Sequence, residues 1–161
     1  LERAGADGVV LCTNTMHRLA GQIEAAVRIP FLHIADAAAE RIRAAGLSRV
    51  GLLGTRFTME QDFYAGRLRE RHGLEVLTPP EEERAVVHRI IYEELVLGQV
   101  RADSRAAYAA IMRGLAARGA QGIILGCTEI GLLVSQGDSA VPLFDTTRIH
   151  AEAAVEYALA G

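Results

Sequence analysis

The sequence contains no lysine and no tryptophan, and only two cysteines, Cys12 and Cys127, occur among its 161 residues. Pyridoxal phosphate enzymes bind their cofactor through a lysine amine, and a Walker P-loop also requires a lysine, so this chain by itself supplies neither site. Two cysteines are too few for a disulfide framework and are typical of a protein from a reducing compartment. We therefore expect a cytoplasmic protein.

The charge and hydropathy patterns argue against two classes of partner. The formal net charge is −3, and the arginines are interspersed with acidic residues instead of forming a basic stripe, so we expect no nucleic-acid partner. No apolar segment approaches the roughly 18 residues of a membrane span, so we expect no membrane partner. The opening segment "LERAGADG" is typical of a helix end and a turn into a strand. From it we expect an N-terminally truncated chain.

Short apolar runs alternate with amphipathic segments along the whole chain. This alternation predicts an α/β fold, in which parallel strands are buried on both faces and helices lie outside. One helix is predicted over residues 58–73, with Thr58 as its N-cap. In such sheets ligands bind beyond the carboxyl ends of the strands. The residues that follow the predicted strands therefore matter most, and they are residues 12–15, 55–58, 127–129 and 145–147.

An internal repeat relates the two ends of the chain. The segment "LERAGADGVVL" (residues 1–11) aligns without a gap with "LAARGAQGIIL" (residues 115–125), and "CTNT" and "CTEI" follow, the second after one extra glycine. Both cysteines of the chain occupy the same place in the two copies. The repeat predicts two similar lobes whose thiols approach one ligand from opposite sides. The alternative is that any two helix–glycine–strand units resemble each other by chance.

Two thiols on opposite faces of an α-carbon can invert its configuration. One thiolate removes the α-proton, and the other thiol returns a proton from the opposite face. Without an imine cofactor, the carbanion must be stabilised by hydrogen-bond donors placed in advance. Side chains suited to hold the substrate carboxylate follow the cysteines, and they are Thr13, Asn14, Thr15 and Thr128.

Each of these residues also has a simpler interpretation. A single cysteine is usually a small buried hydrophobe, and the two could form a disulfide, which would remove the thiolate. Cys12 and His17 could suggest a metal, but zinc sites need three or four ligands, so we expect no metal. Thr55 and Thr58 either cap a helix or contact the ligand. Glu129 orients the second thiol, faces the substrate amine or occupies the first turn of a helix.

The remaining histidines are weaker candidates. His33 lies in an apolar run, where a core histidine with satisfied hydrogen bonds is the simpler interpretation. His150 follows "DTTR" on the last predicted helix, and we expect it to pack or to form a supporting hydrogen bond.

Five motifs in order resemble the cofactor-independent aspartate/glutamate racemase family, and especially its broad-specificity amino-acid racemase branch. They are "CTNTMH", "LLGTRFTMEQDFY", "IIYEEL", "LGCTEIGLL" and "FDTTRIHAEAAV". The resemblance implies two Rossmann-like lobes with parallel sheets, an active site between them and usually a homodimer, without pyridoxal phosphate or metal. The family's catalytic cysteines fall on Cys12 and Cys127, and its carboxylate-binding residues fall on Thr13, Asn14, Thr15 and Thr128.

The resemblance also implies a division of the chain and a missing segment. The first lobe comprises residues 1–33 and 142–161, and the second comprises residues 34–141. Members of the family begin with a strand and a glycine-rich loop, so we expect the N-terminal part of the first lobe to be missing. The second motif, Gly-Cys-Thr-Glu, is that of the aspartate racemase branch, whereas glutamate racemases have histidine in place of Glu129.

Taken together, the sequence predicts a cofactor-independent isomerase that racemises a small-molecule amino acid, either aspartate or glutamate or a broader set. The alternatives within the superfamily are a hydantoin racemase, a maleate isomerase and an arylmalonate decarboxylase. The decarboxylases typically keep one of the two cysteines, so the presence of both favours racemisation. A further alternative of another class is a non-catalytic ligand-binding or thiol-sensing fragment.

Overall fold

The computed structural model describes residues 1–160, which form two separate parallel sheets. In the first, β1 (Val9–Val10) pairs with β2 (Phe31–Leu32). The second has four strands in the order β4-β3-β5-β6, and their bounds are β3 Arg49–Gly54, β4 Glu75–Leu77, β5 Ile123–Gly126 and β6 Leu143–Asp145. Every pairing is parallel.

Helices connect the strands. The α-helices are α1 Ala20–Ala26, α2 Ile34–Ala44, α3 Arg56–Glu60, α4 Asp62–His72, α5 Glu81–Glu93, α6 Ala102–Ala117, α7 Ile130–Leu133 and α8 Thr146–Leu159. Short 3-10 helices occur at Glu2–Ala4, Thr15–Leu19, Leu95–Leu97 and Gln136–Asp138. The predicted α/β fold with parallel sheets is thus confirmed. Among the described residues, no helix is both long and apolar enough to cross a membrane.

The four-stranded sheet is buried on both faces, as the continuous apolar runs of β3 and β5 predicted. One face packs against α5, α6 and α7 through a cluster that includes Val87, Ile91, Tyr108 and Met112. The other packs against α2, α4 and α8 through a cluster that includes Ile34, Tyr64, Leu68 and Ile149. Helices therefore cover both sides, and the carboxyl ends of the strands are left as the open edge where a ligand can bind.

Two glycines bring β3 and β5 close together at that edge. Gly54 pairs with Gly126, and a Cβ atom on Gly126 would lie 2.8 Å from the carbonyl oxygen of Leu53. A Cβ atom on Gly54 would lie 2.9 Å from the carbonyl oxygen of Gly126. Only glycine fits at both positions, and the pair sets the approach of the strand that leads into Cys127.

The helix predicted over residues 58–73 is two helices, α3 and α4. They are separated at Gln61, whose backbone is extended at φ −88° and ψ 148°. The predicted N-cap is also wrong, because Thr55 caps α3 by accepting a hydrogen bond from the N–H of Thr58. The predicted end is correct, since α4 stops at Gly73, whose φ of 67° lies in the left-handed region that favours glycine.

The segment after residue 142 contacts both sheets. Its strand, β6, hydrogen-bonds to β5 in the four-stranded sheet, whereas its helix, α8, reaches back to the first sheet. The Nε2 atom of His150 lies 2.8 Å from the carbonyl oxygen of Leu32, and the hydroxyl of Tyr157 donates to the carbonyl oxygen of Asp7 across 2.9 Å. The assignment of residues 142–161 to the first lobe stays a prediction, with β6 itself hydrogen-bonded in the sheet assigned to the second.

Candidate active site

A cavity of about 300 Å³ lies at the carboxyl ends of the strands, between the two copies of the repeat. Its wall comes from the loop after β1, the N-terminus of α3, the end of α5 with the following turn, and the loop after β5. The lining residues are Thr13, Asn14, Thr15, Met16, Thr55, Ile91, Tyr92, Val96, Gly126, Cys127, Thr128 and Glu129. Both Cys-Thr segments of the repeat therefore reach one cavity, although they are more than 110 residues apart in the chain.

The two cysteines differ in their surroundings. Both are free thiols; Cys12 is exposed and Cys127 is half-buried. Cys127 lies in the cavity wall itself, while Cys12 directly precedes Thr13, which does. A disulfide, which the sequence left open, is not formed. The site thus has one sheltered thiol and one that solvent reaches.

The Cys127 thiol is hydrogen-bonded to a carboxylate. Its Sγ atom donates to the Oε2 atom of Glu129 across 2.9 Å. Burial raises the pKa of Cys127 to about 12, and the hydrogen bond and negative charge of Glu129 act in the same direction. Burial works against ionisation of Glu129, but hydrogen bonds from Cys127 and Thr128 outweigh it and lower the pKa of that carboxyl. Cys127 is therefore a thiol and Glu129 a carboxylate at neutral pH.

Asn14 is buried and held by a relay to the opposite side of the site. Its Nδ2 atom donates to the hydroxyl of Thr146 across 3.0 Å, and that hydroxyl donates to the carbonyl oxygen of Leu125 across 2.7 Å. A carbonyl can only accept, so the hydroxyl proton is committed and the amide must present its NH₂ group to Thr146. The Oδ1 atom of Asn14 has no hydrogen-bond partner among the described residues. The free end of Asn14 is thus an acceptor.

Three threonine hydroxyls form a closed cluster below the cavity. Thr15 lies 3.1 Å from Thr55 and 3.4 Å from Thr58, and Thr55 lies 3.2 Å from Thr58, each measured between Oγ1 atoms. Thr15 and Thr55 line the cavity, whereas Thr58 is fully buried and does not. From the sequence, Thr55 and Thr58 are both candidates for contact with the ligand. In the structure Thr58 supports the other two hydroxyls and has no access to a ligand.

Three buried imidazoles lie close to residues 11–14, which join β1 to the following 3-10 helix and are called the Cys12 loop here. His17 packs against His33 with ring centroids 4.3 Å apart and against His150 at 5.9 Å. His33 caps α2 by accepting from the N–H of Ala35, and His150 bonds to a backbone carbonyl, as the sequence-based interpretation expected. Burial lowers the pKa of His17 to about 4 and that of His33 to about 3. All three are neutral at neutral pH, since burial lowers the pKa of His150 as well.

The apolar part of the wall was not predicted. Ile91 and Tyr92, at the end of α5, and Val96, in the following turn, add apolar side chains to the cavity wall. They lie inside the motif "IIYEEL", which was used for the resemblance and not assigned to the site. Its helical periodicity looks like that of any core-facing helix. The described residues contain no group of three or more His, Cys, Asp or Glu side chains arranged to hold a metal ion.

The family model for Asp/Glu/hydantoin racemases matches residues 1–154 of the chain. A match over nearly the full length, together with the fold and the paired Cys-Thr segments, establishes that the chain belongs to the Asp/Glu/hydantoin racemase family. The family predicted from the five motifs is confirmed, and the chain is an isomerase of the racemase type.

Solved structures support the same assignment. A candidate Asp/Glu racemase from Yersinia pestis is 58% identical with a TM-score of 0.94, and the match covers 98% of this chain and 69% of that one. An aspartate racemase homologue from Pyrococcus horikoshii is 40% identical with a TM-score of 0.87 over the same shares. A glutamate racemase from Francisella tularensis, in complex with D-glutamate, shares the fold at 20% identity and a TM-score of 0.71, over 98% of this chain and 59% of that one.

Proposed function

We propose that the chain racemises a small amino acid by a two-thiol mechanism, with Cys12 and Cys127 acting on opposite faces of the substrate α-carbon. The observation that carries the proposal is the cavity that both Cys-Thr segments reach, with the Cys127 thiol held by Glu129 at its wall. The chain lacks lysine, so its own residues supply no amine for an imine, and we assign the roles of acid and base to the two thiols.

Cys127 starts the reaction as the acid in this proposal. Cys127 carries its proton at neutral pH, because burial and Glu129 both raise its pKa. In the direction that starts from this state, the Cys12 thiolate removes the α-proton, and the S–H bond of Cys127 delivers its proton to the other face of the planar intermediate. Cys12 ends as a thiol and Cys127 as a thiolate, which is the state required for the reverse direction. Solvent exchange resets the pair.

Polar residues of the wall hold the substrate in this proposal. Thr13, Thr15, Thr55 and Thr128 offer hydroxyl groups for the α-carboxylate, where the negative charge of the intermediate spreads. Asn14 has a different task from the one suggested by its residue type. Its NH₂ group is occupied by Thr146 and its Oδ1 atom is buried without a partner among the described residues, so any contact of Asn14 with the substrate is made as an acceptor.

The wall favours a broad choice of side chain. The lining residues that this chain contributes include no arginine and no histidine to meet a second carboxylate of the substrate. Instead, Met16, Ile91, Tyr92 and Val96 offer apolar surface. We propose that uncharged amino acids are accepted beside aspartate and glutamate. The homodimer and the division into lobes that the resemblance implies stay predictions, as does the cytoplasmic location expected from the cysteine content.

The test is racemisation of a panel of L- and D-amino acids in D₂O, followed by chiral chromatography and mass spectrometry. A two-base reaction incorporates deuterium at Cα of the inverted product. Cys12→Ala and Cys127→Ala should each reduce racemisation in both directions at least a hundredfold, whereas the exposed control Ser48→Ala should not change it. Wild-type rates in either cysteine variant would end the two-thiol assignment. Binding without Cα exchange would instead favour a ligand-binding or thiol-sensing module.

A further inference from the structure

His17 lies five residues after Cys12 and is only 1% exposed. Its ring makes two hydrogen bonds that determine its tautomer. The Nε2 atom lies 3.2 Å from the backbone nitrogen of Ile34, which can only donate, so Nε2 is the acceptor. The proton of the neutral ring is therefore on Nδ1, which donates to the carbonyl oxygen of Thr13 across 2.7 Å.

These two bonds join the Cys12 loop to the start of α2. The N–H of Thr13 donates to the carbonyl oxygen of Leu11 across 2.8 Å, so both peptide groups of Thr13 are bonded, one of them to His17. On the other side, Ile34 is the first residue of α2, where backbone N–H groups have no partner within the helix. His17 therefore satisfies an N–H group of α2 and restrains the carbonyl group of Thr13, the residue next to the one that carries the thiol.

The Cys12 loop has little other support. Strand β1 ends at Val10, and the 3-10 helix begins only at Thr15. Cys12 itself is exposed, so packing does not hold its side chain. Asn14 is tied to Thr146 and Thr15 to Thr55, but both lie beyond Thr13 in the chain. The conformation of the backbone next to Cys12 depends mainly on the Thr13 peptide groups.

We propose that His17 is a positioning residue for Cys12, acting through the carbonyl of Thr13 and not through contact with substrate. The inference rests on the proposed two-thiol function and adds a residue to it. His17 is absent from the cavity wall, so a direct role in proton transfer does not fit. Displacement of a reacting group by about 1 Å can cost about a hundredfold in rate, which is why a distant restraint on this loop matters.

Two substitutions separate the two hydrogen bonds. The amide nitrogen of asparagine can take the place of Nδ1, so His17→Asn keeps a donor to Thr13 and loses the acceptor for Ile34. The amide oxygen of glutamine can reach the place of Nε2, so His17→Gln keeps the acceptor and loses the donor. His33→Asn is the matched control, because His33 packs 4.3 Å from His17 but bonds only within its own helix, where asparagine also caps well.

The measurement is exchange of the Cα proton in D₂O, followed separately for the L- and D-forms of one accepted amino acid. Cys12→Ala and Cys127→Ala first show which enantiomer depends on which thiol. His17→Gln should reproduce the pattern of Cys12→Ala, with exchange of the Cys12-dependent enantiomer at least tenfold slower and that of the other within twofold of wild type. His17→Asn should retain most of the exchange, and His33→Asn should stay within twofold for both enantiomers.

Equal slowing of both enantiomers by His17→Gln would overturn the inference, because it would indicate a general effect on the fold. This result differs from failure of the proposed function, in which wild type exchanges neither enantiomer or Cys12→Ala behaves as wild type. Should His17→Gln not fold, ¹⁵N NMR of the wild-type imidazole at pH 7 decides. A proton on Nδ1 is expected, and a proton on Nε2 would overturn the inference.

Discussion

The thiol of Cys127 donates a hydrogen bond to the carboxylate of Glu129 across 2.9 Å, from Sγ to Oε2. The two residues are separated by Thr128 alone, in the turn between β5 and α7. Each strengthens the preferred state of the other, because the hydrogen bond raises the pKa of the thiol and lowers that of the carboxyl. The Cys127 thiol therefore stays protonated at the cavity wall at neutral pH.

Replacing Glu129 by glutamine should make Cys127 a stronger acid. Burial remains, but the negative charge that opposes thiolate formation is removed, so the pKa of Cys127 should fall below its value of about 12, by about one unit or more. In a Cys12→Ala background, the rate of iodoacetamide alkylation at pH 9 should rise about tenfold for each unit of that fall. Glu70→Gln, at an exposed position, serves as the control. An unchanged alkylation rate would show that Glu129 does not control the thiol.

Acid should destabilise the fold before the carboxylates titrate. Burial lowers the pKa of His17 to about 4 and that of His33 to about 3, whereas both groups titrate near 6.5 in the unfolded chain. Between pH 6.5 and about 4 the unfolded state binds more protons, so the free energy of unfolding falls with pH by about 1.4 kcal/mol per unit for each histidine. Urea denaturation at pH 7, 6 and 5 measures this slope.

Between pH 6.5 and about 4, the charged groups near His17 and His33 have opposing effects on the pKa values of these imidazoles. Asp36 favours the protonated imidazoles, and Arg67 opposes them. Burial raises the pKa of Asp36, but the hydrogen bond from Arg67 outweighs burial and the pKa is lowered to about 2. The contribution of Asp36 to the free energy of unfolding is therefore lost only below about pH 4. His17→Gln should reduce the slope by about 1.4 kcal/mol per unit. Identical slopes for wild type and variant would contradict the assignment.

Gly126 and Gly114 should respond to alanine with opposite signs. A Cβ atom on Gly126 would lie 2.8 Å from a backbone oxygen that cannot move aside, so Gly126→Ala should cost about 1–3 kcal/mol. Gly114 lies within α6 with no atom near the position of an added Cβ, so Gly114→Ala should stabilise by about 0.5–1 kcal/mol. Thermal unfolding compares the two. A loss of stability in both variants would contradict this explanation, because the close approach of β3 and β5 would then not account for the difference between the two positions.

Ser104→Ala should destabilise the start of α6. Glu94 is buried, and its Oε2 atom accepts a hydrogen bond from the hydroxyl of Ser104, while its Oε1 atom lies 3.4 Å from Nη1 of Arg89. Removing the hydroxyl leaves a buried carboxylate oxygen without that donor, at a cost of about 1–3 kcal/mol. Urea denaturation should show a lower midpoint with an unchanged m-value. Ser48→Ala, at an exposed position, should change stability by less than about 0.5 kcal/mol.

The strand ends were predictable, and their partners were not. Continuous apolar runs and the repeat pointed to Thr13 and Cys127, because buried strands and the polar residues after them have a local signature. The break at Gln61 has none, since no proline or glycine marks it and tertiary packing decides where α3 stops. Ile91 and Val96 reach the cavity only because α5 packs on the sheet. The bond from His17 to Ile34 joins residues that no periodicity relates.

The relay from Asn14 through Thr146 to Leu125 has a consequence for synthesis of the protein. Asn14 and Thr146 are 132 positions apart, so a growing chain cannot complete the relay until the last helix has been translated. The hydrogen bond that ties Asn14 to the end of β5 through Thr146 is therefore among the last to form. Chains that stall on the ribosome before α8 would leave the Asn14 amide without this partner, and their candidate active site would stay incomplete.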